Sequence, residues 1–130
     1  MGPKVLLINK YSASDGDLFP WSFKANKIGK VIGTRTWGGI VGISGPLPYM
    51  DGTDVRVPFF TNYDAKTGQW IVENHGVDPD ILIDNDPVKE QLGEDQQLNK
   101  AIEVILQELK DRKPLPPVPA PRTYKDLGVE

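Results

Sequence analysis

Three short runs along the chain predict β-strands. They are Val5–Ile8, which is continuously apolar, Lys30–Thr34 and Ile81–Ile83. A run such as Val5–Ile8 is typical of a strand in a parallel sheet that is covered on both faces. Because a sheet of this kind needs neighbours that the chain supplies sparingly, we expect the native polypeptide to extend upstream of Met1, which would then be an artificial boundary.

The segment after the first run predicts a helix over about residues 16–26. Phe19 and Phe23 lie four residues apart, with Leu18 beside them, so the three share an apolar face. The order strand, helix, strand is typical of an α/β fold.

A proline limits where that helix begins. Pro20 fits the first turn of a helix and disrupts its interior, so the helix is expected to start effectively near Asp17. If it begins at Ser14 instead, Pro20 must bend it. Asp15 and Asp17 are expected to cap the helix and to complement its dipole. Direct contact of either side chain with a substrate is an equal alternative.

Residues 46–76 are rich in predicted β-structure. Asp51-Gly52 and Thr67-Gly68 are hairpin signals, and alternating apolar and polar positions flank them. Glu73 follows the last predicted strand, where a carboxylate can turn inward. The strands are predicted at Tyr49-Met50, Thr53–Val57 and Gln69–Val72.

The last helix has the strongest periodicity. Residues Asp95–Asp111 place apolar side chains on one stripe at spacings of three and four, with polar residues opposite. We interpret it as an ordinary core-packing helix. The stripe consists of Leu98, Ala101, Ile102, Ile105, Leu106 and Leu109.

Residues 112–130 form a proline-rich extended tail. Proline favours the polyproline conformation, so we expect this tail to lie outside the folded core. The segment from Pro114 to Pro117 spells Pro-x-x-Pro, which would suit an aromatic groove on a partner. We favour a solvated tail, or an arm that lies along a neighbouring domain or subunit.

Charge and composition argue against several kinds of partner. The formal net charge is −3 and the basic residues are scattered, which argues against nucleic acid or an anionic membrane. The chain has no cysteine, so disulfides and thiolate metal sites are excluded. No apolar run approaches the roughly 20 residues that span a bilayer. The compartment is undetermined, and the cytoplasm is the working expectation.

The polar run Asn9–Asp17 carries the main evidence for function. It follows the first strand and precedes the helix, which is a natural place to present a reactive serine, here Ser14. Backbone N–H groups at the start of the helix lie beside that serine and can receive an oxyanion.

The same run resembles the nucleophile segment of tricorn-type serine peptidases, relatives of the carboxyl-terminal processing (tail-specific) peptidases. Asn9, Ser12, Ala13 and Ser14 match the family pattern. The Ser-Asp-Gly-Asp run that starts at Ser14 looks like the tricorn branch. The resemblance continues to about residue 109. It implies an α/β fold that is a fragment of a crotonase-like or Clp-protease-like core, with residues 1–111 as the C-terminal part of the catalytic domain.

A second landmark distinguishes two branches of that family. The processing peptidases use a Ser-Lys dyad, with the lysine in a Thr-Phe-Gly-Lys-Gly turn, and the corresponding turn here is Thr36–Gly39. Gly39 stands where the lysine would be, so the dyad is excluded. Tricorn-like enzymes instead use a histidine supported by a second serine and a glutamate. The segment Val72–Asp80 resembles the one that carries this glutamate, which assigns the role to Glu73.

The histidine of the family lies far upstream of the nucleophile, in a region that this chain does not contain. His75 is the single histidine and follows Glu73 by two residues, so both side chains would share one face of a strand. A self-contained Ser14–His75–Glu73 triad is one alternative, since triads occur in many chain orders. We favour a solvated or structural His75, because the resemblance gives that position no catalytic role.

The resemblance implies a serine peptidase that acts on peptides, without metal or organic cofactor. Ser14 would attack the carbonyl after a histidine takes its proton, the Asp15 backbone N–H would donate to the oxyanion, and Glu73 would organise the base side. A glycine-rich loop would form a wall of the peptide cleft; a turn that merely lets strands cross is the equal alternative. The loop residues assigned to substrate binding are Gly38, Gly39, Ile40 and Val41.

Because the histidine lies outside the chain, we expect residues 1–130 by themselves to be inactive. The upstream remainder of the peptidase is then the partner that completes the site, and tricorn-type relatives imply a homo-oligomer. The alternative function is a non-catalytic structural or interaction domain. Cleavage specificity, native length and oligomeric state are left open.

Overall fold

The computed structural model describes residues 2–43, 47–123, 126 and 128. Ten helices and strands are assigned within these ranges. In chain order they are β1 (Val5–Ile8), α1 (Asp15–Ala25), β2 (Lys30–Gly33), β3 (Gly42–Ile43), β4 (Leu47–Pro48), β5 (Asp54–Val55), β6 (Pro58–Phe60), β7 (Ile81–Leu82), α2 (Pro87–Gln91) and α3 (Gln96–Lys110).

A three-stranded parallel sheet in the order β1, β2, β7 forms the centre of the fold. β2 lies in the middle, with Leu7 opposite Ile32 on one side and Ile81 opposite Ile32 on the other. Val31 and Ile32 are completely buried. The predicted parallel sheet and the α/β class are therefore confirmed.

The two longer helices cover this sheet. Both α1 and α3 pack against β1 and β2. Phe23 of α1 forms a core cluster with Ile8 and Val31, and Leu6 packs against it. Burying a phenylalanine side chain of this kind stabilises the fold by about 2 kcal/mol. The apolar face predicted for α1 is therefore only partly correct, because Phe23 packs on the sheet whereas Phe19 is exposed.

α1 begins two residues earlier than its proline suggested. Ser14 is the N-cap, so the prediction that Asp15 or Asp17 occupies that position is wrong. Pro20 lies inside the helix and is buried. Pro20 has no N–H to donate to the carbonyl four residues before it, so α1 lacks one backbone hydrogen bond at this point. The burial of the Pro20 ring offsets part of that loss.

Residues 42–60 form two small antiparallel pairs, β3 with β6 and β4 with β5. The predicted turn at Asp51-Gly52 is confirmed, since the Gly52 N–H donates to the Tyr49 carbonyl. The strand predicted at Tyr49-Met50 is wrong, because these two residues lead into the turn and β4 ends before them. The last strand of this region, β6, was not predicted.

The strand predicted at Gln69–Val72 is also wrong. Only an isolated antiparallel bridge joins Trp70 to Tyr63. Val72 and Asn74 have φ values of 65° and 61°, which are incompatible with an extended strand. The turn around residues 64–68 is present, with the Gly68 N–H donating to the Asp64 carbonyl.

α3 packs with a face other than the one its apolar stripe predicts. Leu98, Ile102, Leu106 and Leu109 are exposed, and Ala101 is the buried member of the stripe. The more buried side of α3 consists of residues 97, 101, 104, 105 and 108, so the expectation of an ordinary core-packing helix is only partly correct. On this side the Gln97 side-chain amide donates to the Ile83 carbonyl at 2.8 Å.

α2 is a short helix that the sequence analysis missed. Asp86 caps it by accepting hydrogen bonds from the Val88 and Lys89 N–H groups, and Pro87 occupies the first helical position. Beyond α3, residues 112–123 are exposed and lie outside helices and strands. The domain boundary at residue 111 stays a prediction. Within the described residues, no helix has the length and apolar character needed to cross a membrane.

Asp80 connects the start of β2 to the start of β7. Its carboxylate accepts the Val31 N–H at 2.8 Å and pairs with Lys24 at 3.1 Å, and its own N–H donates to the Val31 carbonyl at 2.7 Å. Burial raises the pKa of the Asp80 carboxyl, but the Val31 hydrogen bond and Lys24 outweigh it and hold the pKa below its usual 3.8.

Replacing Asp80 by asparagine should destabilise the fold by about 1 kcal/mol at pH 7. A depressed pKa contributes stability above the unfolded-state pKa, and this contribution is lost as the pH falls through the lower folded-state pKa. The difference between Asp80→Asn and the unchanged protein in urea unfolding should therefore shrink between pH 7 and about pH 2.5. Asp54→Asn, at an exposed strand position, is the control. An equal difference at both pH values would contradict the assignment.

Candidate active site

Ser14 lies at the turn that joins β1 to α1. Its side chain is exposed, and its backbone has φ 57° and ψ −111°, a conformation that L-residues rarely adopt. Such strain costs about 1–3 kcal/mol and persists only where neighbouring contacts enforce it. A strained strand-to-helix turn exposes the nucleophilic serine of α/β-hydrolases. The predicted nucleophile therefore occupies a suitable position.

Asn9 and Ser12 shape the approach to Ser14. The Asn9 side chain accepts the Tyr11 N–H at 2.9 Å, and the Asn9 N–H donates to Ser12 Oγ at 3.2 Å. The Ser12 N–H closes the turn on the Asn9 carbonyl at 2.9 Å. These two motif residues thus act by forming the turn that leads into the helix.

Asp17 is the buried centre of the site. Its side chain has no exposed surface, and its carboxylate accepts three backbone N–H groups. Oδ2 accepts from Ser14 at 2.9 Å and from Gly39 at 3.1 Å, and Oδ1 accepts from Gly38 at 2.8 Å. Asp17 is therefore the N3 half of a capping box, and its burial leaves no surface for the alternative of direct substrate contact.

The Asp15 N–H, the predicted oxyanion donor, lies at the first position of α1. The first N–H groups of a helix have no acceptor within the helix. None of the hydrogen bonds in the described part of the chain uses this N–H, whereas the neighbouring Ser14 N–H donates to Asp17. A free donor at the positive end of the helix dipole thus lies next to Ser14.

Glu73 holds the second half of the glycine-rich loop. Its Oε2 atom accepts the Ile40 N–H at 2.7 Å and the Val41 N–H at 3.0 Å. Glu73 lies in a turn and not at a strand end, so that part of the sequence prediction is wrong. Among the described residues, Oε1 has no hydrogen-bond partner, so half of the carboxylate is free to accept from another group.

The loop assigned to substrate binding therefore uses all four of its N–H groups internally. Asp17 binds those of Gly38 and Gly39, and Glu73 binds those of Ile40 and Val41. The Ile40 side chain is buried and that of Val41 is at the surface. The four N–H groups of this loop are therefore not free to donate to a ligand.

Two glycines allow the loop to pack directly on the turn that carries Glu73. Gly38 has φ 88°, and a Cβ there would lie 2.5 Å from the Gly76 nitrogen. Gly76 has φ 84°, and a Cβ there would lie 2.2 Å from the Thr36 carbonyl oxygen. The Asn74 N–H donates to the Gly38 carbonyl at 2.8 Å across this contact. The two glycines are thus required by backbone-on-backbone packing.

The polar contacts of the His75 ring are with Gly76 and Asp78. Its Nδ1 is 3.0 Å from the Gly76 carbonyl oxygen and its Nε2 is 3.7 Å from Asp78 Oδ2. Within the described residues, no hydrogen bond joins its ring to either proposed triad partner. The argument for a shared face fails because residues 71–75 do not form a strand. The structure places His75 as a half-exposed turn residue, as we favoured.

Sequence reasoning missed the central role of Asp17 and the part played by Thr36. Thr36 is buried, and its Oγ1 accepts the Val77 N–H at 2.7 Å. The pattern Ser14-x-x-Asp17 is a capping-box signature and could have indicated the bond between those two residues. No comparable local signal indicates the bonds from Asp17 to the loop. The described residues contain no cluster of three or more potential metal ligands.

Comparisons with known proteins show the family of this chain. The model of the family "Peptidase family S41" matches residues 1–83. The protein named tricorn protease of Thermoplasma volcanium is 45% identical over 112 residues, which is 86% of this chain and 11% of that relative.

Solved structures extend the comparison to the fold. A crystal structure of the tricorn protease has a TM-score of 0.77 at 43% identity and covers 84% of this chain and 11% of its own. A structure of the cpaf s499a mutant has a TM-score of 0.62 at 22% identity, covering 88% of this chain and 21% of its own, which is a likeness of fold alone. The chain thus spans about a tenth of the length of the tricorn proteases that it matches.

Replacing Gly38 by alanine should disrupt the site, because the new Cβ meets backbone atoms that cannot move away. Gly52→Ala is the matched control, since Gly52 has φ 82° and nothing within 4 Å of a Cβ. Both variants carry the strain of positive φ, about 1 kcal/mol. Gly38→Ala should lose about 2 kcal/mol more in urea unfolding. Equal losses would show that the contact with Gly76 is not tight.

Proposed function

This chain belongs to peptidase family S41, and we propose that it is the nucleophile-bearing segment of a tricorn-like serine peptidase. The observation that carries the proposal is the exposed Ser14, held in a strained conformation at the start of α1 beside the free Asp15 N–H. Family membership supports the proposal that the protein is a protease. The serine mechanism and the roles of individual residues are our proposal.

In the proposed mechanism Ser14 Oγ attacks the carbonyl carbon of a peptide bond. A histidine supplied from outside this chain takes the Ser14 proton, and the carbonyl oxygen becomes an oxyanion. The Asp15 N–H donates to that oxyanion, where the positive end of α1 favours negative charge. The same histidine then protonates the leaving amine, and water hydrolyses the acyl-enzyme.

Glu73 is proposed to support the base side of this reaction. Its Oε2 atom is held by the Ile40 and Val41 N–H groups, which fixes the orientation of the carboxylate. Oε1 is left to accept a hydrogen bond from a group of the complete site. A base that is oriented by a fixed acceptor loses little entropy when it takes a proton, which favours proton transfer in one geometry.

The substrate is proposed to be a peptide that lies along the loop of residues 38–41. The loop N–H groups are used by Asp17 and Glu73, so hydrogen bonds to the substrate would be accepted by the Gly39 and Ile40 carbonyl oxygens. The exposed Val41 side chain would add apolar contact. Ile40, whose side chain is buried, would act through its backbone.

We also propose that residues 1–130 by themselves are inert as a peptidase. The supporting observation is that the His75 ring contacts Gly76 and Asp78, and that no hydrogen bond among the described residues joins it to Ser14. The remainder of the longer polypeptide would be the partner that supplies it, and a homo-oligomer would be the assembled form. A non-catalytic domain would describe the isolated chain and not the whole protein.

Labelling with a fluorophosphonate serine probe tests this proposal. We expect the complete polypeptide that contains these residues to be labelled at Ser14, and residues 1–130 alone to be labelled at least about 1,000-fold more slowly, because triad members act as a unit. Ser14→Ala should abolish labelling and His75→Ala should leave it unchanged. Ser22→Ala, a serine on the same helix, is the matched control.

Two results would overturn the proposal. Labelling of the complete polypeptide that survives Ser14→Ala would place the nucleophile elsewhere. Fast labelling of residues 1–130 that is lost in His75→Ala would mean that the chain contains its own base.

A further inference from the structure

We propose that Asp17 is a positioning residue. Its carboxylate holds Ser14 in the reactive conformation and joins Ser14 to the loop of residues 38–41. This inference rests on the proposed function of Ser14. Asp17 would touch neither substrate nor reacting atoms, and would act through the backbone groups that it binds.

The first argument is the environment of the carboxylate. Asp17 has no exposed surface, and among the described residues no lysine, arginine or histidine forms an ion pair with it. Its charge is stabilised by three backbone N–H donors and by its place in the first turn of α1. A buried charge is costly unless it is fully hydrogen-bonded, so these donors are held firmly around it.

The second argument is the direction of the bond to Ser14. An ordinary N-cap is extended and uses its own side chain to accept an N–H of the helix. Here the N-cap has φ 57°, and its N–H donates to the Asp17 carboxylate at 2.9 Å. The capping bond that Asp17 makes therefore holds the strained backbone of Ser14 and leaves the serine exposed.

The third argument concerns the choice of oxyanion donor. Ser14 and Asp15 offer neighbouring N–H groups, and Asp17 takes that of Ser14. The Asp15 N–H is left without an acceptor among the described residues. Asp17 thus separates two adjacent donors into a structural one and one that is free to meet the substrate.

The fourth argument is that one oxygen atom serves both segments. Asp17 Oδ2 accepts from Ser14 and from Gly39, which lies 22 residues further along the chain than Asp17. A shift of the loop would therefore move the nucleophile as well. Because Glu73 fixes the rest of the loop, the nucleophile, the loop and the Glu73 turn form one connected unit.

The residue type follows from these contacts. All three partners of Asp17 are N–H donors, so both terminal atoms of the side chain, Oδ1 and Oδ2, must be hydrogen-bond acceptors. An asparagine would turn an NH2 group towards at least one of these N–H groups. A glutamate would keep the charge but displace the carboxylate by about one carbon–carbon bond in a closed space.

The test is the rate of fluorophosphonate labelling of Ser14 in the complete polypeptide, resolved into the probe dissociation constant KI and the rate constant kinact. Asp17→Asn should lower kinact by about 100-fold, the effect of a nucleophile misplaced by about 1 Å. KI and the final number of labelled sites per chain should not change. A merely structural role would instead lower the labelled fraction and leave kinact of the folded molecules unchanged.

Asp95→Asn is the matched control. Asp95 is also a carboxylate that accepts an N–H at the start of a helix, that of Leu98 at 2.9 Å, but it belongs to α3. The kinact of Asp95→Asn should stay within about twofold of that of the unchanged protein, because Asp95 makes no contact with the Ser14 turn in this account. If Asp17→Asn does not fold, Asp17→Glu is measured in its place, with an expected fall in kinact of at least about tenfold.

The outcomes separate this inference from the proposed function. Labelling of Ser14 that is equally fast in the Asp17 variants would refute the positioning role and leave the nucleophile in place. Absence of Ser14 labelling in the unchanged polypeptide would refute the proposed function and this inference with it.

Discussion

The hydrogen bonds from four consecutive backbone N–H groups to two carboxylates determine the arrangement of this site. Asp17, at the start of α1, binds the N–H groups of Gly38 and Gly39, and Glu73 binds those of Ile40 and Val41. Backbone donors removed from water must find acceptors, and ionised acceptors form the stronger bonds. The loop is therefore fixed between a helix and a turn that lie far apart in sequence.

The same contacts include the turn that carries Ser14, the proposed nucleophile. Asp17 binds the Ser14 N–H, and the Asp15 N–H has no acceptor among the described residues. Close packing of Gly38 on Gly76 brings the Glu73 turn against the loop without intervening side chains. The chain belongs to peptidase family S41. Under the function proposed above, this network would hold the site in place before a substrate binds, as electrostatic catalysis requires.

Local sequence patterns predicted the helices and strands that depend mainly on interactions between neighbouring residues. The strands β1, β2 and β7 and the helices α1 and α3 follow from apolar periodicity, and Ser14 follows from its place between a strand and a helix. The side on which α3 packs was missed because the apolar stripe does not show contacts with distant residues, such as the Gln97 bond to the Ile83 carbonyl. The two loop partners of Asp17 were missed because they lie 21 and 22 residues away, where no sequence spacing indicates a contact.

A crystal structure of the complete polypeptide with a phosphonate bound to Ser14 would test the central claim most directly. The claim is that Ser14 is the nucleophile and that the Asp15 N–H receives the oxyanion. We expect the phosphonyl oxygen about 2.9 Å from the Asp15 nitrogen, with the Ser14 N–H still bound to Asp17. A phosphonyl oxygen turned away from Asp15, or a Ser14 N–H released from Asp17 to bind it, would contradict the account.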